Sequence, residues 1–311
     1  MELRAPGEHD ILLANPLPNA ATERVYRTLI TREMNAMGAS YAHWVARAYR
    51  RVLARAQRTG KVIDPLLAAD ARSPPKDQTR ALFVELKRLD DYWTVRVKRF
   101  AQKTATRMAQ DWLRENTNAW QMKLKRKGFT VKLQTTAKQR TFLQVKIKEN
   151  VSLIRSIQEQ YHKSIEGVVA RGFLSGRDLA TVANALTKAH GVTTRRAALI
   201  ARDQANKATA QLNSMRQDEL GIKRATWIHS SAGKEPRHEH VRAGREGWEF
   251  DTQVGIDFAD GFGFVKPSEA INCRCSSRSH IPALKRGGNA SYKLMDLGKF
   301  KGVLEPAASD G

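Results

Sequence analysis

Apolar positions along this chain repeat at helical spacing for most of its length and give way to short, β-rich runs only in the last third. From Thr22 onward, Val25, Leu29, Met37, Tyr41, Trp44, Val45, Ala48 and Val52 recur at broadly helical intervals with arginines on other faces, which predicts a helix over 22–58. The proline-bearing stretch 64–75 interrupts this pattern. Leu82, Leu86, Leu89, Trp93, Val97, Ala101, Ala105 and Met108 then resume it over 76–123. Two long helices leaning on each other are the simplest arrangement of these segments. Helical patterning returns at 149–173, 177–190 and 193–220. The last of these has Thr193 or Thr194 as N-cap candidate, apolar positions at Ala197, Ile200, Ala201, Ala205, Ala208, Leu212 and Met215, and Gly221 just past its end. Arg202, Asp203, Gln204 and Asn206 in this helix are candidates either to hydrogen-bond a packed neighbour or simply to face solvent.

The period changes after Gly221. Lys223 to His229, centred on Trp227, reads as a strand, and the turn-rich 231–237 leads into a short helix with Pro236 at its first position and His238 and His240 on it. Trp248-Glu249-Phe250-Asp251 reads as a second short strand. A glycine-rich loop from Gly255 to Gly263, then Pro267 and the string Asn272-Cys273-Arg274-Cys275, complete a small β-containing module that holds both cysteines of the protein. The expected fold class is therefore α+β, predominantly α: long N-terminal helices and a helical middle followed by a small C-terminal β module.

The order of these pieces resembles the phage Mu F-like minor head protein family, also called the phage head-morphogenesis family. The resemblance is carried by Ala201 to Gln204, Gly221-Ile222, Trp227, Lys234 to His240, Phe250-Asp251, Gly255, Asp260-Gly261 and Pro267 to Cys275, with support upstream from 149–157 and Arg171-Gly172-Phe173. It covers roughly residues 100–285. No piece is specific alone, but the order and spacing together are. One departure is His238, which stands where relatives tend to have proline, so His240 is the family-matched histidine. The resemblance implies a minor component of a tailed-phage head, linked to the portal vertex, to head assembly and to the fate of packaged DNA. It also implies that Trp227, Arg237, His240, Asp251, Asn272, Cys273 and Cys275 form the core of the module. The corresponding organisation is a leader (1–21), a long-helix region (22–123), a basic linker with an extended segment (124–148), a head-morphogenesis domain (149–283, with helices over 149–220 and the β module over 221–283) and a basic tail (284–311).

Charge narrows the partners. Lys plus Arg number 54 against 31 Asp plus Glu, a formal net charge of +23, which favours polyanions and double-stranded DNA first among them, although an acidic protein partner or simple solubility also fits. The densest cationic stretch is Lys123, Lys125, Arg126, Lys127, Lys132, Lys138, Arg140, Lys146 and Lys148, which has no acidic residue among them and is the candidate DNA-contacting surface. A solvated linker is the alternative reading, since no helix-turn-helix or zinc-finger spacing accompanies it. The apolar run at Ile11 to Ala14 is too short and too acidic in its flanks for a signal peptide, and no segment approaches the ~18 apolar residues of a membrane helix. The expected setting is a phage head interior or portal vertex, assembled in the host cytoplasm. Portal protein, major capsid or scaffolding protein and phage DNA are the expected partners, with no membrane.

Chemistry concentrates in the module. His238, His240, Cys273 and Cys275 are the ligand types of a Cys2His2 zinc site, but His-x-His and Cys-x-Cys are not zinc-finger spacings, and a helical turn at His238 would splay the imidazoles. The reading preferred is a hydrogen-bonded histidine beside buried thiols, without a cofactor, and structural zinc is the alternative. Cys-x-Cys closes almost no loop, so a stabilising disulfide is not expected. A metal-dependent nuclease would pair His240 with Glu239, Asp251 or Asp257. Carboxylates in turn-rich sequence more often bind local amides, and neither a phosphate-binding glycine loop nor an oriented Cys-His pair is evident. A structural, non-enzymatic role is therefore expected.

Overall fold

The computed structural model of the chain describes residues 10–58, 76–174, 179–231, 235–258, 263–281 and 305–306. Four long helices, α1 (Ala20–Arg58), α2 (Lys76–Arg126), α3 (Ala137–Leu174) and α4 (Leu179–Glu219), are followed by a short one, α5 (His238–Glu246). The strands are β1 (Ile11–Ala14), β2 (Phe129–Thr130), β3 (Arg224–Ile228), β4 (Glu249–Asp251), β5 (Ile256–Asp257), β6 (Phe264–Val265), β7 (Ser276–Ile281) and β8 (Glu305–Pro306). The protein is thus predominantly α with a small antiparallel β module, as the periodicity implies. It divides into two compact units, one drawing on 24–107 and 147–201, the other on 1–23, 108–146 and 202–311.

The first unit is built from four helical segments. On α1 the buried positions are Tyr26, Ile30, Met34, Met37, Tyr41, Val45, Tyr49 and Val52, steps of three and four that make a single seam. This seam differs from the sequence-predicted one at its start. Val25 is 42% exposed and Tyr26 is fully buried, because the Tyr26 hydroxyl finds an acceptor in Asn150 Oδ1 at 2.7 Å and can therefore enter the core. On α2, Leu82, Leu86, Leu89, Trp93, Val97, Ala101 and Ala105 are buried as the pattern requires. The Tyr41 hydroxyl lies 3.0 Å from His162 Nδ1, and Gln158 donates to Asp90 at 2.8 Å, so polar groups in this core are paired as well as packed.

Two helix boundaries depart from the sequence expectation. The pattern over 177–220 predicts two helices, the second capped at Thr193 or Thr194, yet α4 runs unbroken from Leu179 to Glu219. The Thr193 hydroxyl donates to the Ala189 carbonyl at 3.0 Å and the Thr194 hydroxyl to Gly191 at 3.1 Å, so both bond back into the preceding turn rather than capping a new one. The stretch expected as a basic linker over 124–148 is largely helical. Its first residues end α2, and α3 begins at Ala137. A capping box starts α3: Thr136 Oγ1 accepts from the Gln139 N–H and Gln139 Oε1 from the Thr136 N–H, both at 3.2 Å.

The second unit contains a four-stranded antiparallel sheet ordered β1-β7-β3-β4. Residues 11–14, expected to be part of a leader, pair Ile11 with Ile281 and Ala14 with Arg278. The central strand β7, Ser-Ser-Arg-Ser-His-Ile, has almost no apolar signal, yet Ser277, Ser279 and His280 are buried. Each finds a partner: Ser277 Oγ accepts from Asn15 at 2.7 Å, Ser279 Oγ from Gln217 at 3.0 Å, and His280 Nε2 lies 2.7 Å from Thr226 Oγ1. An apolar cluster of Leu13, Trp120, Leu124, Phe129, Leu133, Leu220, Ile222 and Ile281 closes one side. Most of the basic tail lies outside the described residues, as do Lys234 and Asp260-Gly261 of the motif order; Glu305–Pro306 pairs with Phe129–Thr130.

α4 ends in a Schellman turn. Gly221 has φ +64°, the Ile222 N–H reaches the Gln217 carbonyl at 2.8 Å, and the Gly221 N–H reaches Asp218 at 3.1 Å. Just before this turn Arg216, 1% exposed, donates to the Gln134 carbonyl (2.9 Å), Glu219 (2.6 Å) and Thr117 Oγ1 (2.8 Å), which ties α4 to α2 and to the segment before α3. Removing one member of a buried charge network leaves the others unpaired. Arg216→Ala is accordingly expected to destabilise the protein by about 3 kcal/mol, measured as a lower urea midpoint at unchanged slope.

Candidate functional site

The site is assembled by α5, β3 and the loop before β7. α5 starts at His238 with Arg237 as its N-cap residue, so Pro236 precedes the helix rather than opening it, and Gly247 at φ +68° ends it. On a helix, residues two apart point to nearly opposite sides. His240 accordingly turns inward and is 4% exposed, whereas His238 is exposed. α5 lies close against the end of β3. A methyl group placed on Gly244 would collide with His229 Cβ and stand 2.7 Å from the His229 backbone nitrogen, so only glycine allows this approach.

The loop from Pro267 to Cys275 is held by the part of α4 that belongs to this unit. Asn272 adopts a left-handed conformation, φ +60°. Its N–H donates to Asp203 Oδ1 at 2.8 Å, and its Oδ1 accepts from Arg202 at 2.8 Å. Asn206 donates to the Cys273 carbonyl at 3.3 Å. From the other side, Arg237 donates to the Ile271 carbonyl at 3.1 Å. Of the polar candidates on this helix, Arg202, Asp203 and Asn206 therefore do anchor a neighbour.

These restraints bring Cys273 and Cys275 together at the His240 ring. His240 Nδ1 lies 3.6 Å from Cys273 Sγ and 3.8 Å from Cys275 Sγ, and all three ligand atoms lie within 4.8 Å of one another. All three residues are buried. The aromatic shell is tight: His240 stands 4.9 Å from both Trp227 and Phe258 by ring centroids, and Trp227 packs on Phe250 at 6.1 Å. The thiols differ in acidity. A hydrogen bond from the Cys275 thiol, assisted by His240 and by the backbone at Cys275 and Ser268, pulls the Cys273 thiol well below the usual thiol range against the opposing effect of burial. The Cys275 thiol is pushed up by Cys273 and by burial, with the Ser230 backbone and the Trp227 indole acting the other way. The pair thus favours one thiolate, on Cys273. Both cysteines are free thiols.

A cleft of about 720 Å³ opens over the cluster, and Arg202, Arg237, Arg274, His229 and Glu235 line it beside the three ligands. Asp251 lies elsewhere. Its Oδ1 accepts from the Gln253 and Val254 amides at 2.7 and 3.2 Å, a local turn bond. Among the described residues, the group of potential metal ligands that converges is His240, Cys273 and Cys275, with no carboxylate in it.

The basic residues separate into different settings. Lys123, Lys125 and Arg126 occupy the last turn of α2, where cations also suit the helix dipole, and Lys127 follows in the turn. Burial, then Arg126, lowers the Lys123 pKa. Lys138 bonds Asp218 at 2.9 Å, Arg140 donates to the Thr135 carbonyl, and Lys146 is buried with its Nζ 5.9 Å from the Phe142 ring centre. Lys125, Arg126, Lys127, Lys132 and Lys148 are exposed.

Gly244→Ala must push α5 off β3. It is expected to cost about 1–3 kcal/mol, the range for overpacking, and to accelerate alkylation of Cys273 and Cys275 under native conditions. An unchanged alkylation rate would show that the cluster does not depend on this close approach.

Residues 163–278 match the family described as Phage Mu protein F like protein. An uncharacterized protein of Haemophilus influenzae is 33% identical over 129 residues, which is 40% of this chain and 26% of that protein. The matched stretch thus spans about a quarter of the length of that curated relative. No solved structure matches the chain. The matched segment contains α4, β3, α5, β4 and both cysteines, so the loop, the helix that anchors it and the histidine beneath it all lie within the stretch that is similar to that family.

Proposed function

We propose that this chain is a minor head protein of a tailed bacteriophage that acts in head morphogenesis at or near the portal vertex. The observation that carries this reading is the match over 163–278, which takes in the cysteine loop, the helix that anchors it and the buried His-Cys-Cys cluster. In this role the module is a rigid body, and the helices and exposed cations contact portal, major capsid or scaffolding protein and packaged double-stranded DNA. The formal net charge of +23 supports a polyanionic partner, and Lys125, Arg126, Lys127, Lys132 and Lys148 are the exposed cations best suited to phosphate. Such binding is independent of sequence and weakens steeply with salt. The protein would be assembled in the host cytoplasm and reside in the virion. No helix among the described residues is long and apolar enough to cross a membrane. A nuclease built on His240 and a carboxylate gains no support from the site, because the groups around the His240 Nδ1 are sulfurs.

Mass spectrometry of purified DNA-filled and empty heads, quantified against portal protein, tests the role. Low-copy presence in both is expected, and absence from both contradicts it. DNA binding has its own test: replacing Lys125 and Lys127 by Glu should weaken retention of duplex DNA and flatten its dependence on salt, the logarithmic slope falling by about one for each phosphate that is no longer neutralised.

A further inference from the structure

A buried imidazole normally satisfies its nitrogens with oxygen or nitrogen partners. His240 does not. Its Nδ1 faces two sulfurs. A thiol is a weak donor and a weak acceptor, so two of them poorly replace one good partner. The arrangement is better explained by an ion that all three groups bind. With Zn–S near 2.3 Å and Zn–N near 2.0–2.1 Å, a tetrahedral ion sets nitrogen and sulfur ligands about 3.6 Å apart and its two sulfurs about 3.8 Å apart. The observed nitrogen–sulfur separations are 3.6 and 3.8 Å.

We propose that His240 Nδ1, Cys273 Sγ and Cys275 Sγ bind one zinc-class divalent cation, with the fourth coordination position open to the arginine-lined cleft and filled by solvent. The site differs from the Cys2His2 set suggested by composition, because His238 is exposed and turns away. Two thiolates and a neutral imidazole balance the dication, which makes the ion compatible with a buried position. Backbone N–H groups near both sulfurs, at Ser268 and Cys275 for Cys273 and at Ser230 for Cys275, supply the outer hydrogen bonds that thiolate ligands require. The cation would staple α5 to the loop before β7. This inference stands independently of the phage-head reading.

The test uses untagged full chain, expressed with zinc in the medium and purified under reducing conditions. Elemental analysis should find about one zinc per chain. Cobalt exchanged into the site should show a thiolate-to-cobalt charge-transfer band and the visible absorption of a tetrahedral ion. Cys273→Ser, Cys275→Ser and His240→Gln should lose the metal, and His238→Ala should keep it. Should the ligand variants fail to fold, the wild-type chain still decides: a chelator should lower its melting temperature and restored zinc should recover it. Wild-type chain with no stoichiometric zinc and no thiolate–cobalt band would overturn the proposal. Metal lost in His238→Ala but kept in His240→Gln would overturn it as well.

Discussion

The structure of the sheet-bearing unit depends on one polar edge of α4. Arg202, Asn206, Asn213 and Gln217 follow one another in steps of four, seven and four, which keeps them on one side of a 3.6-residue helix. Within this unit each engages something that is not helix. Arg202 holds Asn272, Asn206 the Cys273 carbonyl, Asn213 the Pro16 carbonyl at 2.8 Å, and Gln217 the Ser279 hydroxyl. Asn213 is used twice more, since its Oδ1 accepts from Asn116 at 2.8 Å and from the Trp120 indole at 2.9 Å. A net hydrogen bond is worth about 1 kcal/mol, but leaving such a group buried and unpaired costs about 1–3 kcal/mol. The edge therefore specifies one docking arrangement more strongly than it adds stability, because displacing the partners of Asn206, Asn213 or Gln217 leaves buried polar groups unpaired.

The chemistry of the site follows from that edge. Asn272 sits at positive φ, a conformation that only a few residue types tolerate, and it is held there by Asp203 and Arg202 from one side while Arg237 grips the neighbouring carbonyl from the other. The loop is thereby bent so that both cysteines face the same imidazole. α5 supplies that imidazole, and its depth is set by the absence of a side chain at Gly244. Two backbone restraints and one close approach thus convert residues separated by more than thirty positions into a cluster whose atoms lie within 4.8 Å.

Much of this could be read from the chain, and what could not has a physical cause. The α2 face from Leu82 to Ala105 is legible because its buried positions are apolar, whereas the α1 seam is misread by one position because Tyr26 hides its polar atom against Asn150. β7 carries no hydrophobic alternation; apart from Ile281 its buried positions are serines and a histidine whose partners are Asn15, Gln217 and Thr226, residues distant in sequence. The four residues of β1 look like a leader until β7 is known, since a strand is defined by the one it pairs with. The start of α3 is marked in the sequence by the Thr-x-x-Gln capping box at Thr136 to Gln139, masked by the lysines and arginines around it. His240 is already set apart from His238 in the sequence, by the resemblance and by the helical turn that splays the two imidazoles, and the structure leaves His238 exposed.

The region matched over 163–278 accordingly contains both a long helix that does the positioning and a short loop that carries the two thiols. The cluster depends on α4 fixing the cysteine loop. Native-state hydrogen exchange on wild type and Asp203→Ala tests this most directly, through the Asn272 amide that Asp203 holds. Protection across 270–275 is expected to collapse while the amides of β3 and β7 keep theirs. Protection retained at 272–275, or lost evenly across the whole sheet, would contradict that dependence.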